Sequence, residues 1–255
     1  MLRSPSLLRT PTSGKAQARR LRGPAAPGTL APTFIVTRRP MRRATIFAIG
    51  LSLLGLVPGP AQARETYSGI NMLINCTTNA VICDTYFSGL LDAYVAIQGW
   101  ADTPPIFCIV GPSNGHLIWP LVVADLGEAR AERPDILEFS AASLIIGSLR
   151  RLYPCEEGQP AVAEPAFLTG LELVGLCRDT GLCEAYLISV LEAHRTLVDW
   201  GTLTAPYVCL PDEVENNELM LSLLTYLGGR QDQLSDYSGG TLTIVALSES
   251  YDCGP

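Results

Sequence analysis

The sequence predicts an all-α fold, built as two tandem four-helix repeats, each stapled by disulfides within the repeat. Three observations carry that prediction. The stretch CDTYFSGLLDAY (83–94) returns as CEAYLISVLEAH (183–194). Cys83, Tyr86, Leu91 and Ala93 recur as Cys183, Tyr186, Leu191 and Ala193, and the acids Asp84 and Asp92 recur as Glu184 and Glu192. The eight cysteines fall into two sets, Cys76, Cys83, Cys108, Cys155 and Cys177, Cys183, Cys209, Cys253, with intervals of 7, 25, 47 and 6, 26, 44. Such matched spacing marks an internal duplication. Between the cysteines, apolar residues recur at helical spacing.

The chain then divides in order. Residues 1–40 are rich in Arg, Pro and Thr, hold no acid, and read as a leader outside the fold, with Met41 as the true start. An organelle transit peptide has a similar composition and is the alternative. Residues 41–63 read as a secretory signal peptide: Arg42 and Arg43, the apolar run ATIFAIGLSLLGLV, then small residues up to Ala61 and Ala63. That run is short of the roughly 20 residues that span a bilayer, so no membrane span is expected once it is removed. Repeat one is 64–155, the linker EEGQPAVAEP is 156–165, and repeat two is 166–255. The Pro, Gly and Glu of the linker suit an extended, exposed connection.

Charge is as uneven as composition. Residues 64–255 carry eight basic against 25 acidic residues, a net charge near −17, whereas the whole chain shows −7. Such a surface repels nucleic acid and anionic lipid and favours a basic partner.

An even number of cysteines behind a secretory signal indicates disulfides formed in an oxidising compartment. Zinc sites favour close C-x2-4-C pairs; here the pairs are C-x6-C and C-x5-C with distant partners, so neither metal nor other cofactor is expected. Two bridges inside each repeat and none between are expected, but the sequence does not choose among the three connectivities of four cysteines.

Within repeat one, Tyr86, Phe87, Leu90, Leu91, Tyr94 and Ile97 mark one helical face, with Asp84 placed in the first turn where a carboxylate is favoured. The copy presents Tyr186, Leu187, Val190, Leu191, His194 and Leu197. Pro134 suits the first turn of a later helix, whose stripe is Ile136, Leu137, Ala141, Leu144, Ile145, Ser148 and Leu149. Its counterpart, Leu234 to Leu247, contains Gly239-Gly240. That pair costs about 2 kcal/mol relative to Ala and weakens the helix.

Candidate catalytic groups are few. His194 replaces Tyr94 on the core-facing stripe, and His116 sits in the loop GPSNGH without a counterpart. Phosphate-loop and H-E-x-x-H patterns are absent from the sequence. Asp92 and Glu192, at equivalent positions in separate repeats, read as solvated helix residues rather than a general acid and base. Trp100 and Trp200 follow the same helices and read as packing between helices. The inventory supports binding rather than an enzyme.

The assembled motifs are Cys76, CDTYFSGLLDA, FCIVGP and RRLYPC, then Cys177, CEAYLISVLEA, VCLP and SYDC. They resemble the Rap/Tai family of periplasmic immunity proteins, present as two tandem copies. The resemblance implies a non-enzymatic, disulfide-containing helical protein of the periplasm. Its partner would be a type VI secretion amidase effector that cuts peptidoglycan, inhibited by occlusion of its active site. Family members act as homodimers, which makes the tandem chain a single-chain equivalent. The copies depart from each other where YPC becomes YDC and where GPSNG after Cys108 becomes LPDEVENNE after Cys209. Asp212, Glu213, Glu215 and Glu218 in the latter are the candidate partner-binding residues, since clustered carboxylates suit a basic effector surface. The other reading is a non-enzymatic periplasmic adaptor or structural protein-binding module.

Overall fold

A computed structural model describes residues 67–101, 103–113, 115–158, 162–165 and 168–254. The leader expected at 1–40 and the signal peptide expected at 41–63 lie outside the described residues, as does part of the segment 156–165.

The first half enters through Ser68, whose hydroxyl accepts from the Asn71 N–H and caps α1, Gly69–Thr78. Asn79 ends α1 and, with its side chain accepting from the Ile82 N–H, caps α2, Ala80–Trp100. This sharp corner is closed by the Cys76–Cys83 disulfide. Helix α2 thus starts ahead of the cysteine. Asp84 therefore stands in the second turn, not the first as expected, and the cap comes from Asn79.

Helix α3 spans Gly115–Glu132 and is followed by a 3-10 turn, Pro134–Glu138, and by α4, Ala141–Leu152. The single helix expected from Pro134 onward is broken at Phe139, which is extended, and restarts under the cap of Ser140. The break has a backbone cause. The Gly69 N–H donates to the Phe139 carbonyl at 2.9 Å, and the Ala141 N–H donates to the Tyr67 carbonyl at 2.6 Å. These groups serve the entry of α1 and cannot serve a continuous helix.

The second half repeats the order. Helix α5, Gly170–Leu176, carries a reciprocal capping box between Thr169 and Glu172. Helix α6, Thr180–Asp199, is capped by Asp179. Helix α7 is Asn216–Gly229, and α8 is Gly239–Ser250 under the cap of Ser238. The helix expected from Leu234 instead begins at Gly239, so the glycine pair forms its first turn.

Disulfides Cys76–Cys83 and Cys108–Cys155 close the first half, and Cys177–Cys183 and Cys209–Cys253 the second. All eight cysteines are so used. One feature departs from an all-helical expectation. Strand β1, Ile109–Ser113, pairs in parallel with β2, Val162–Pro165, so part of the linker lies along the first half as a strand.

Helices α2 and α6 form the centre and pack on each other; α2 also packs on α8, and α6 on α4. Tyr86, Phe87, Leu90, Leu91, Tyr94 and Ile97 of α2 are buried, as are Tyr186, Leu187, Val190 and Leu197 of α6. Each such side chain contributes about 1.5–3 kcal/mol by leaving water. Helix α2 is long and apolar enough to cross a membrane by composition alone. Its burial among α1, α3, α6 and α8 accounts for that apolarity.

Candidate protein-docking site

The acid of each C-[DE]-x-Y motif points at the start of a later helix. In the second half, the Asn216 side-chain amide donates to Glu184 Oε1 at 2.7 Å, fixing the first residue of α7. In the first half, Asp84 lies close to His116; burial raises its pKa and the imidazole partly opposes that.

Between Cys209 and α7 runs the acidic loop. The Cys209 N–H donates to the Tyr251 carbonyl at 3.0 Å, and the Val214 N–H closes a turn on the Pro211 carbonyl at 3.3 Å. Cys209–Cys253 fastens one end of the loop and Glu184–Asn216 the other. Asp212 and Glu213 stand on the turn, Glu215 occupies the N-cap position of α7, and Glu218 lies in its first turn. All four are exposed. They form one acidic edge on a tethered loop, at a helix N-terminus that favours carboxylates. The first half offers no such edge: its segment after Cys108 is the strand paired with the linker.

The other acids singled out by sequence lie elsewhere, and the expectation for them is corrected. Asp92 is 0% exposed and Glu192 6%, so neither is solvated. Tyr186 donates its hydroxyl to Asp92 Oδ2, and Tyr86 donates to Glu192 Oε2, each across the junction of the halves. Glu192 Oε1 also accepts from the Tyr67 N–H at 2.5 Å. The Leu168 and Gly240 amides face Asp92, without a regular hydrogen bond to its Oδ1. Burial is the larger influence on both acids, raising Asp92 to about 8 and Glu192 to about 7 against the pull of these donors. A helix buried on one face leaves the opposite positions to water; α2 and α6 are buried on two.

The second face was readable as small residues at helical spacing, a pattern the apolar stripe obscured. Thr85, Gly89, Asp92 and Ala96 line it on α2, and Ala185, Ser189, Glu192 and Thr196 on α6. Tyr86 and Tyr186, the donors that make the buried acids tolerable, were assigned only to the apolar stripe.

His194 is buried, and its Nε2 accepts from the Tyr207 N–H at 2.9 Å. Tyr94 does the same service in the first half, its hydroxyl accepting from the Ile106 N–H at 2.9 Å. Burial lowers His194 to about 4, leaving it a neutral acceptor. His116 is exposed. Trp100, the last residue of α2, and Trp200, the C-cap of α6, are 42% and 44% exposed, so the packing expected of them is partial. Trp100 keeps an edge contact with Tyr207 of the other half. Among the described residues no cluster of His, Cys, Asp and Glu has the makings of a metal site.

The geometry thus defines a disulfide-stapled, mainly helical protein whose two halves share one core and present an acidic, tethered loop. Residues 169–253, the second half, match the family model of the Rap1a immunity proteins. No curated protein and no solved structure matches the chain.

Proposed function

We propose that this protein is a periplasmic immunity protein that binds a type VI secretion peptidoglycan amidase effector and blocks its active site. The observation that carries this reading is the similarity of residues 169–253 to the Rap1a immunity proteins. Four paired disulfides support an oxidising compartment, and the signal-like segment at 41–63 supports export to it. The acidic edge, Asp212, Glu213, Glu215 and Glu218, is the proposed docking element for a basic effector surface. Its tether at both ends supports this role, since a preorganised loop loses little entropy on binding.

The first half joins the same reading through the internal repeat. Its four helices and two disulfides follow the order of the second half, and the tyrosine–carboxylate contacts exchange across the junction. This supports a single-chain equivalent of the homodimer that the resemblance implies, with the linker keeping the halves together at high effective concentration.

Co-expression is the test. The exported chain should rescue cells from a periplasmic amidase effector encoded beside it, and should co-purify with that effector. Failure to rescue, together with undiminished amidase activity on isolated peptidoglycan in the presence of excess protein, would remove the reading. Retention in an envelope complex without inhibition would favour the adaptor instead.

A further inference from the structure

We infer that the two halves are keyed to each other, with side-chain volumes at the α2–α6 junction that fit the first half to the second and neither half to a copy of itself. The inference is independent of which protein the chain binds. It explains the glycine pair that weakens α8 on propensity grounds.

The first key lies where α2 crosses α6. Gly89 of α2 faces Ser189 of α6, its counterpart in the repeat. A Cβ on Gly89 would collide with Ser189 Oγ and lie 2.7 Å from the Tyr186 carbonyl oxygen. Ser189 is fully buried, and its hydroxyl donates to the Tyr186 carbonyl at 2.7 Å, so it has no solvent to move into. Serine fits on one helix only.

The second key surrounds the acids. Asp92 faces the start of α8, where a Cβ on Gly240 would lie 2.5 Å from the Asp92 carbonyl carbon and 2.6 Å from its oxygen. A Cβ on Gly239 would lie 2.5 Å from the Tyr186 hydroxyl. The counterparts near Glu192 are Ala141 and Ala142, both fully buried. Their Cβ atoms exist, so the backbone of α4 must stand farther from α6 than α8 stands from α2. The longer acid spans the wider gap, and the shorter acid the narrower one.

Self-pairing breaks both keys. Two second halves would set Ser189 against Ser189 and drive Glu192 into the narrow glycine gap. Two first halves would leave a void between Gly89 and Gly89. Asp92 would then fall short across the alanine gap, stranding a buried Tyr86 hydroxyl without its acceptor. Discrimination of this kind comes from penalties on the wrong pair as much as from contacts in the right one.

Urea and thermal unfolding of the full chain, as double-mutant cycles, test the inference. Gly89→Ser should lower the melting temperature by about 5 °C or more, the scale of an overpacked core. Adding Ser189→Gly should recover a measurable part of that loss, because it removes the collision with Oγ and leaves the close approach to the Tyr186 carbonyl. Asp92→Glu should likewise destabilise, and Gly239→Ala with Gly240→Ala should destabilise alone yet recover when joined to Asp92→Glu. Should a single variant fail to fold, soluble expression regained in the paired variant reads the same coupling. Tolerance of Gly89→Ser, or losses that merely add in the paired variants, would overturn the inference.

Discussion

Asp92 and Glu192 each trade water for one tyrosine hydroxyl and nearby backbone amides, and that exchange sets a pH dependence. Their folded pKa values, about 8 and about 7, lie above the ordinary carboxylate values of 3.8 and 4.5. The folded state therefore holds protons that the unfolded chain has released. Their contribution to stability is complete below about pH 4 and is lost as pH rises through 7 to 8. His194 works in the opposite direction: lowered from 6.5 to about 4, it contributes fully above pH 6.5 and loses its contribution as pH falls toward 4. Two carboxyls outweigh one imidazole, so the urea midpoint should be higher at pH 5.5 than at pH 8, with a net slope of roughly 1 kcal/mol per pH unit between. Asp92→Asn with Glu192→Gln should flatten or invert that slope. An unchanged slope would show that the carboxyls titrate as exposed groups do. At this scale the sequence was legible for His194, whose place on the stripe follows from Tyr94. It was misleading for the acids, because a charged residue in a helix reads as solvated until the partner on the other face is known.

Helices and staples were the most legible elements. Cap residues and apolar periodicity are local, and the cysteine intervals confined the bridges to each half. What was not legible was set by contacts distant in sequence. The break at Phe139 depends on α1, the start of α8 on the same exchange with α5, and the β1–β2 pair on where the linker falls across the first half. The bridges should differ in weight for a reason the intervals already contain. Cys76–Cys83 closes a separation of 7 residues and Cys108–Cys155 one of 47. In the chain-entropy account the cost of closure grows with the logarithm of loop length, so the longer bridge should stabilise by about 2 kcal/mol more. Replacing each pair by serine and comparing urea midpoints measures the difference. Equal losses would mean that the short bridge acts by holding the α1–α2 corner that Asn79 already caps on both sides.

Over the whole molecule, the acidity of the sequence beyond residue 63 is the dominant long-range feature. A chain near −17 beyond residue 63 attracts a basic surface from many ångströms away, but salt screens the attraction over about 8 Å at physiological ionic strength. Such steering acts mainly on encounter, and affinity at contact rests on packing. The acidic edge is the proposed docking element, and Asp212, Glu213, Glu215 and Glu218 are exposed on a loop held at both ends. Replacing all four by lysine changes the local charge by eight units while leaving the buried junction untouched. Association with an amidase effector, followed by surface plasmon resonance between 50 and 300 mM salt, should slow about tenfold or more at low salt. Its salt dependence should flatten, because the reversed edge no longer draws the partner in. A slower association with an unchanged dissociation rate would place the edge on the approach path alone. A faster dissociation as well would place it inside the contact. Unaltered rates and unaltered inhibition would move docking to another face and leave the acidity to solubility.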